Sequence, residues 1–536
     1  MMNKPELPLR SGVSRRTFLK QSSFLSVAAM TSFMLPWKSI ASIADTFPVV
    51  DTIYGKVRGM DTAGIMTFRG IRYGESTAGK NRFMPPVKPK KWDGVYEAFA
   101  YGPAAPQTPI DPTDPYGQSV MWDNHVKAGI SEDCLMLNVW TPGLNDGGNR
   151  PVFFYIHGGG FNNGSGSYPF DGDQLARMGD VVIVTVNHRL GPFGYMDLGG
   201  IIGSSKFDKA GVAGMMDLVA ALEWVNENIL VFGGNPNNVT IMGQSGGGMK
   251  VSILMMMPSA KGLFHKAVVE SGSMLALGAR ERNTNQAKQM LDELKINPSK
   301  LDDIQKVPWS DILEAEANRG FSPVVDGLVI PANPFDPVAP EISADVPLIV
   351  GYNREDASYR NATETPLTED GLKEWVQNMY RDNADKILST YRKVYPNATP
   401  FQVQARISTD SRLRKSATAQ VERKSALNKG NAYLYLMEWA SPAFEGRFEA
   451  CHGVELGLIL GNPRIPIAGN TAEARKLAEI IGSSVIAFGR TGNPNCDKVP
   501  NWPAYNKDTR STMIFNTECR VEDDPTSELR LLWDSI

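Results

Sequence analysis

The sequence predicts an α/β chain in which a mainly parallel central sheet is covered by helices on both faces, and three observations lead there. Short apolar segments rich in β-branched residues alternate with longer helical patterns, the arrangement that parallel strands and their crossovers require. One such segment, residues 239–242, runs straight into Gly243-Gln-Ser245-Gly-Gly247 and then into a further apolar run at 249–257, a strand–turn–helix signature. With 536 residues, 42% hydrophobic and 21% charged, the chain can bury a large core, and no composition shift, repeat or low-complexity segment marks a linker.

Residues 1–44 stand apart from the fold. Ser14-Arg-Arg-Thr-Phe-Leu-Lys20 is a twin-arginine pattern, followed by an apolar stretch at 24–35 and by Ser42-Ile-Ala44, a small-residue cleavage site. The apolar stretch is about half the ~20 residues of a spanning helix, so an exported chain, periplasmic or secreted, is expected rather than stable membrane insertion. Residues 45–536 are then expected to form one domain with insertions.

That domain opens with alternating residues at 52–58, a hairpin-like start. Residues 102–129, rich in Pro, Gly and Asp, read as a long surface loop carrying Tyr116 and Trp122. Beyond it, 135–141, 152–156 and 181–187 read as strands, 213–228 as an amphipathic helix and 239–242 as the strand before the serine. Later, 348–352 and 432–438 read as strands, and 368–395 and 471–490 as helical stretches.

Composition narrows the function classes. A formal net charge of −3 gives no electrostatic case for nucleic acid or an anionic membrane surface. Four cysteines without CxxC spacing support neither a metal site nor redox catalysis, and pairing between Cys496 and Cys519 is left open.

Taken alone, GxSxG fits an ordinary glycine turn. On a sharp strand-to-helix turn, however, glycines two residues before and after a serine let the backbone approach itself and hold the hydroxyl out as a nucleophile. Such a serine needs a base oriented by a carboxylate, and on this kind of fold the chain order is serine, acid, histidine. Of the five histidines, His125, His157 and His188 precede Ser245, and His265 follows too closely to leave room for the acid. His452 remains. The acid is sought at a strand end, where residues 347–354 run into Glu355 and Asp356; adjacent carboxylates point apart, so at most one meets the imidazole. Ile156-His-Gly-Gly-Gly-Phe161 follows a predicted strand and matches an oxyanion hole of unshielded backbone amides, to which Gly246 adds a donor. His157 then reads as loop packing.

With these residues in place, the chain resembles the type B carboxylesterases, α/β-hydrolase enzymes, over essentially all of residues 45–536. The resemblance is carried by Phe68-Arg-Gly-Ile-Arg-Tyr73, Arg82-Phe-Met-Pro-Pro86, Ser131-Glu-Asp-Cys134, the HGGGF stretch, Phe232-Gly-Gly-Asn-Pro236, Leu263-Phe-His265, Glu270-Ser-Gly-Ser273, Val325-Asp-Gly327, Cys451-His-Gly-Val-Glu-Leu456 and Trp502-Pro-Ala-Tyr505. It implies hydrolysis of a small-molecule carboxylic ester without cofactor or metal. The nucleophile falls on Ser245, the base on His452, the acid on Asp356, the oxyanion donors on Gly158, Gly159 and Gly246, and a residue bracing the acid on Ser271. Five positions depart from the family pattern: Asp356 for glutamate, Gln244 and Gly246 for the glutamate and alanine flanking the serine, Ala105 for a disulfide cysteine, which leaves Cys134 a buried thiol, and Ala357 for glycine. Two alternatives are carried forward: an exported esterase specialised for a bulky toxin, lactone or aromatic ester, and a non-catalytic binding module on the same fold.

Overall fold

Seven parallel strands at the centre of an eleven-stranded sheet fix the architecture, and six of the ten strand pairings are parallel. A computed structural model of the chain describes residues 46–536 except 110, 112, 121–127, 202–204, 317–318, 361 and 363–364. The twin-arginine stretch, Trp122 and His125 lie outside the described residues. In chain order the strands are β1 (Val49–Thr52), β2 (Gly55–Arg58), β3 (Met60–Thr62), β4 (Ile65–Arg72), β5 (Val95–Glu97), β6 (Met136–Thr141), β7 (Arg150–Ile156) and β8 (Val182–Val186). They continue with β9 (Gly234–Gln244), β10 (Lys266–Glu270), β11 (Leu348–Asn353), β12 (Ala432–Met437), β13 (Ser511–Phe515) and β14 (Arg520–Asp523). β1, β2 and β5 make a small separate sheet; the large one runs β14-β13-β12-β11-β10-β9-β7-β8-β6-β4-β3, with the antiparallel pairings at its two ends.

The apolar runs of the central strands follow from burial on both faces. Val152, Phe154 and Ile156 of β7 join one core, whereas Phe153 and Tyr155 join the other. The same split recurs in β10, with Ala267 and Val269 opposite Val268. Each fully buried side chain of this size contributes about 1.5–3 kcal/mol.

The predicted strands 135–141, 152–156, 181–187, 348–352 and 432–438 correspond to β6, β7, β8, β11 and β12. Several elements differ from expectation. β9 begins at Gly234, five residues earlier than read, because Gly234 already pairs with Arg150 of β7 and residues 235–238 bulge out before the ladder resumes at Val239. The helix Ala213–Asn228 is buried on more than one face, Asp217 included, so it is less amphipathic than predicted. Residues 368–395 form two helices, Glu369–Tyr380 and Ala384–Val394, broken where Arg381 adopts a φ of 46°. The loop at 102–129 contains the short helix Pro115–Ser119, capped by Asp114. All four cysteines are free, and Cys134 and Cys451 are buried.

What this topology does for the site is set the ends of four strands level. Ile156 of β7 pairs with Gly243 of β9, Gln244 with Glu270 of β10, and Glu270 with Gly351 of β11. The residues that follow these strands therefore emerge together at the carboxyl edge, next to the point where β7 has β8 on one side and β9 on the other.

Candidate active site

Ser245 stands at the end of β9 with φ 59° and ψ −122°, outside the regions that a serine ordinarily occupies. The elbow is held by two backbone bonds: Ser245 N donates to Glu270 O at 2.8 Å, and Met249 N donates to Ser245 O at 3.0 Å. The flanking glycines are required by space. A Cβ on Gly243 would lie 2.6 Å from Ile156 O, and one on Gly247 would lie 2.0 Å from the same oxygen. Helix Gly246–Leu254 departs directly behind the serine.

His452 and Asp356 meet as a pair. His452 Nδ1 and Asp356 Oδ1 are 2.5 Å apart, and both residues are buried. Asp356 Oδ2 accepts from Asn353 N at 3.0 Å, and His452 N donates to Asp356 O at 3.1 Å, so the two loops are tied by backbone as well as side chain. Tyr116 donates its hydroxyl to His452 O at 2.9 Å, and the Tyr359 ring stacks over the imidazole at 5.5 Å. Burial opposes the imidazolium, but the Asp356 charge and hydrogen bond outweigh it and raise the pKa of His452 above its ordinary 6.5.

Glu355, the other candidate acid, is taken up elsewhere. Its Oε1 accepts from Arg406 Nε at 2.7 Å and from Arg354 Nε at 2.9 Å, away from the imidazole. Ser271 departs from expectation. Among the described residues its buried hydroxyl has no hydrogen-bond partner, while its N–H donates to Gly351 O at 2.9 Å; the direct hold on the Asp356 carboxylate comes from the Asn353 amide instead.

Ser245, His452, Gly158 and Gly159 line one cavity, walled by Tyr116, Phe170 and Leu456. No turn or side-chain hydrogen bond among the described residues uses the N–H of Gly158, Gly159 or Gly246. Among the described residues no hydrogen bond joins the Ser245 hydroxyl to His452. In its place the Gln244 amide nitrogen lies 3.2 Å from His452 Nε2, which fits an imidazole carrying its proton on Nδ1 and accepting at Nε2. His157 packs as predicted, with Nδ1 donating to Gly158 O at 2.9 Å and its ring stacked on His188 at 4.7 Å.

Several groups near the elbow were not singled out from sequence. Glu270 and Glu455 are fully buried below it, and among the described residues both Glu270 carboxyl oxygens lack partners. Burial, reinforced by mutual repulsion, pushes the Glu270 carboxyl well above the usual carboxylate range. Asn353 links Cys451 O, at 2.7 Å, to Glu455 Oε2, at 2.5 Å. Lys250, on the helix behind the serine, is wholly buried. A charged residue inside the apolar run 249–257 was the available signal for it. Among the described residues no group of three His, Cys, Asp or Glu side chains is arranged to hold a metal ion, and no helix is long and apolar enough to cross a membrane.

The profile of the carboxylesterase family matches residues 46–531. A para-nitrobenzyl esterase of Bacillus subtilis is 34% identical over 90% of this chain and 98% of its own length. A phenmedipham hydrolase of Pseudarthrobacter oxydans is 30% identical over 88% and 96% respectively. Among solved structures, a carboxylesterase of Geobacillus stearothermophilus superposes with a TM-score of 0.79 at 33% identity, over 90% of this chain and 99% of that one. With the α/β-hydrolase sheet and the elbow already in view, these similarities settle the assignment: the chain belongs to the carboxylesterase family, type B, and is a carboxylic ester hydrolase.

Proposed function

We propose that Ser245 attacks the ester carbonyl, with His452 as general base, Asp356 as the acid that orients it, and the amides of Gly158, Gly159 and Gly246 as the oxyanion hole. In this reading the serine hydroxyl displaces the Gln244 amide at His452 Nε2, and the imidazole takes the proton. The tetrahedral oxyanion settles against the three amides, and the imidazolium then passes its proton to the leaving alcohol. Water repeats the sequence on the acyl-enzyme. The observation that carries the reading is the buried His452–Asp356 pair opening into the cavity of Ser245 and the glycine loop. Replacing Ser245 with alanine tests it: turnover of para-nitrophenyl acetate should vanish while the thermal unfolding midpoint is unchanged. A variant that keeps more than a few per cent of the activity refutes the assignment.

For the substrate we propose esters with an aromatic group, supported by the Tyr116 and Phe170 walls of the cavity and by the names of two relatives, a para-nitrobenzyl esterase and a phenmedipham hydrolase. A panel of benzyl and alkyl acetates tests this; equal kcat/KM across the panel rejects the aromatic preference. Export of residues 45–536 as one folded domain is supported by Ser14-Arg-Arg-Thr-Phe-Leu-Lys20. Changing both arginines to lysine should retain the enzyme in the cytoplasm, and undiminished export would reject the route.

A further inference from the structure

A buried lysine ordinarily either carries its ammonium out to water or meets a carboxylate. Lys250 does neither. Its side chain is wholly buried, and among the described residues it has no ion pair. Instead Nζ donates to Gly160 O at 2.8 Å and to His157 O at 3.3 Å, the two ends of the glycine loop, and lies 5.5 Å from the centre of the Phe161 ring.

The second of these bonds bears on catalysis through the peptide unit itself. The only cis bonds described are Tyr168-Pro169 and Asp336-Pro337, so the 157–158 peptide is trans. In a trans peptide the C=O and N–H point in opposite directions. Holding His157 O from behind therefore points the Gly158 N–H the opposite way within the peptide plane, and Gly158 lines the cavity with Ser245. A cation on the carbonyl also draws electron density toward it, which strengthens the N–H as a donor. The Gly160 carbonyl is clamped as well. A Cβ on Gly246 would lie 2.1 Å from Gly160 O, so the loop rests directly on the elbow with Lys250 at its back.

We propose that Lys250 is a positioning residue of the oxyanion hole, its buried ammonium fixing and polarising the Gly158 peptide from behind. This rests on the reading of Ser245 as nucleophile and deepens it. The ammonium has an ionisation that acts on the rate, because burial pulls its pKa down to about 7. The titratable groups around it are His157 and His188, stacked on each other, and Arg189, which is paired with Asp217. Burial, with the Lys250 charge, holds His188 well below its ordinary value, so it remains neutral as the lysine titrates. The sign follows: His452 must lose its proton as pH rises, whereas Lys250 must keep its own. Activity gains an alkaline limb from a residue that never touches substrate.

Three variants, each assayed for kcat and KM against pH, decide the matter. Lys250→Met should lower kcat at the optimum by about 10- to 100-fold, less than or comparable to removing an oxyanion donor, while KM moves by less than about twofold. Its alkaline limb should disappear, and an aryl trifluoromethyl ketone, which forms a hemiketal anion on the serine, should bind more weakly by the same factor. Lys250→Arg, which keeps its charge at all working pH values, should retain most of kcat and also lose the alkaline limb. A Lys250→Met enzyme with kcat within twofold of wild type, or a Lys250→Arg enzyme that keeps the wild-type alkaline limb, overturns the proposal. If the Met variant does not fold, the Arg variant still decides. The control is Ser245→Ala: if it remains active, the ester site itself is wrong, whereas an inactive Ser245→Ala beside an unaltered Lys250→Met removes only the role of Lys250.

Discussion

Buried charges in this molecule are treated in two ways. Away from the elbow they are matched: Arg189 meets Asp217 through bonds of 2.8 and 2.6 Å, and Arg82 meets Glu132 through two bonds of 2.6 Å. Near the elbow, among the described residues, three buried groups have no charged partner. Glu270 has no partner on either oxygen, Glu455 lacks one on Oε1, and Lys250 has only carbonyls. Matched pairs tie Arg189 to the helix Ala213–Asn228 and the loop of Arg82 to that of Glu132. The unmatched groups have displaced proton affinities, with burial raising Glu270 and Glu455 and lowering Lys250, which is what chemistry near neutral pH needs.

The sharpest break of that contrast comes at Asp356. Asp356→Asn leaves a neutral partner on Nδ1 and favours the wrong imidazole tautomer, so kcat for para-nitrophenyl acetate should fall by about 10⁴ with the fold intact. Glu355→Gln, one residue away, should leave kcat within a few-fold, because that carboxylate serves Arg354 and Arg406. If the two variants lose activity equally, the division between chemical and structural acid is wrong.

On the structural side, Asp217→Asn removes one half of a buried pair and leaves Arg189 uncompensated. Losses of this kind run to about 3–5 kcal/mol. Urea unfolding should show the midpoint moving down accordingly with activity per folded molecule unchanged; an unchanged midpoint would mean that the pair does not hold the fold.

A smaller effect is read from pH. Because Asp356 raises the pKa of His452, the acid limb of kcat/KM should sit above 6.5, with activity falling as pH drops through it. Gln244→Glu would place a carboxylate at the Gln244 contact with Nε2, favour the imidazolium further, and move the limb up by about one unit. A limb that stays put would show that Gln244 does not face the base in solution.

How much of this the sequence displayed depends on whether a residue's role is local. Ser245, the glycine loop and the strands beneath them are written in contiguous patterns, because an elbow and a strand are set by neighbours in the chain. His452 was singled out by elimination, which works only because the chain has five histidines. Glu355 against Asp356 was not decidable from the residues alone: Arg406, fifty residues further on in the helix Pro400–Thr409, is what draws Glu355 away. Strands β10 and β13 were missed for a related reason, since Lys266 and Ser511 look solvent-facing in sequence yet are buried by their neighbours in the sheet. Lys250 shows in sequence only as a charge inside the apolar run 249–257; its partners are backbone carbonyls, which no side-chain pattern records.

The smallest effect, and the one that reverses sign, is expected at Glu270. A carboxyl whose pKa in the folded chain lies above its unfolded value of about 4.5 keeps a proton that the unfolded chain releases. Its contribution to stability therefore declines as pH rises above that value, until the folded pKa is reached. Glu270→Met replaces a carboxyl without partners by an apolar side chain of similar length, a change that ranges from neutral to stabilising in buried sites. The backbone carbonyl that accepts from Ser245 N is untouched. At pH 5 the variant should melt within a degree or two of wild type, and at pH 8 above it. Asp217→Asn should be less stable than wild type at both. A Glu270→Met protein that loses stability as Asp217→Asn does would mean that Glu270 is matched after all, and the distinction between the two kinds of buried charge would fall with it.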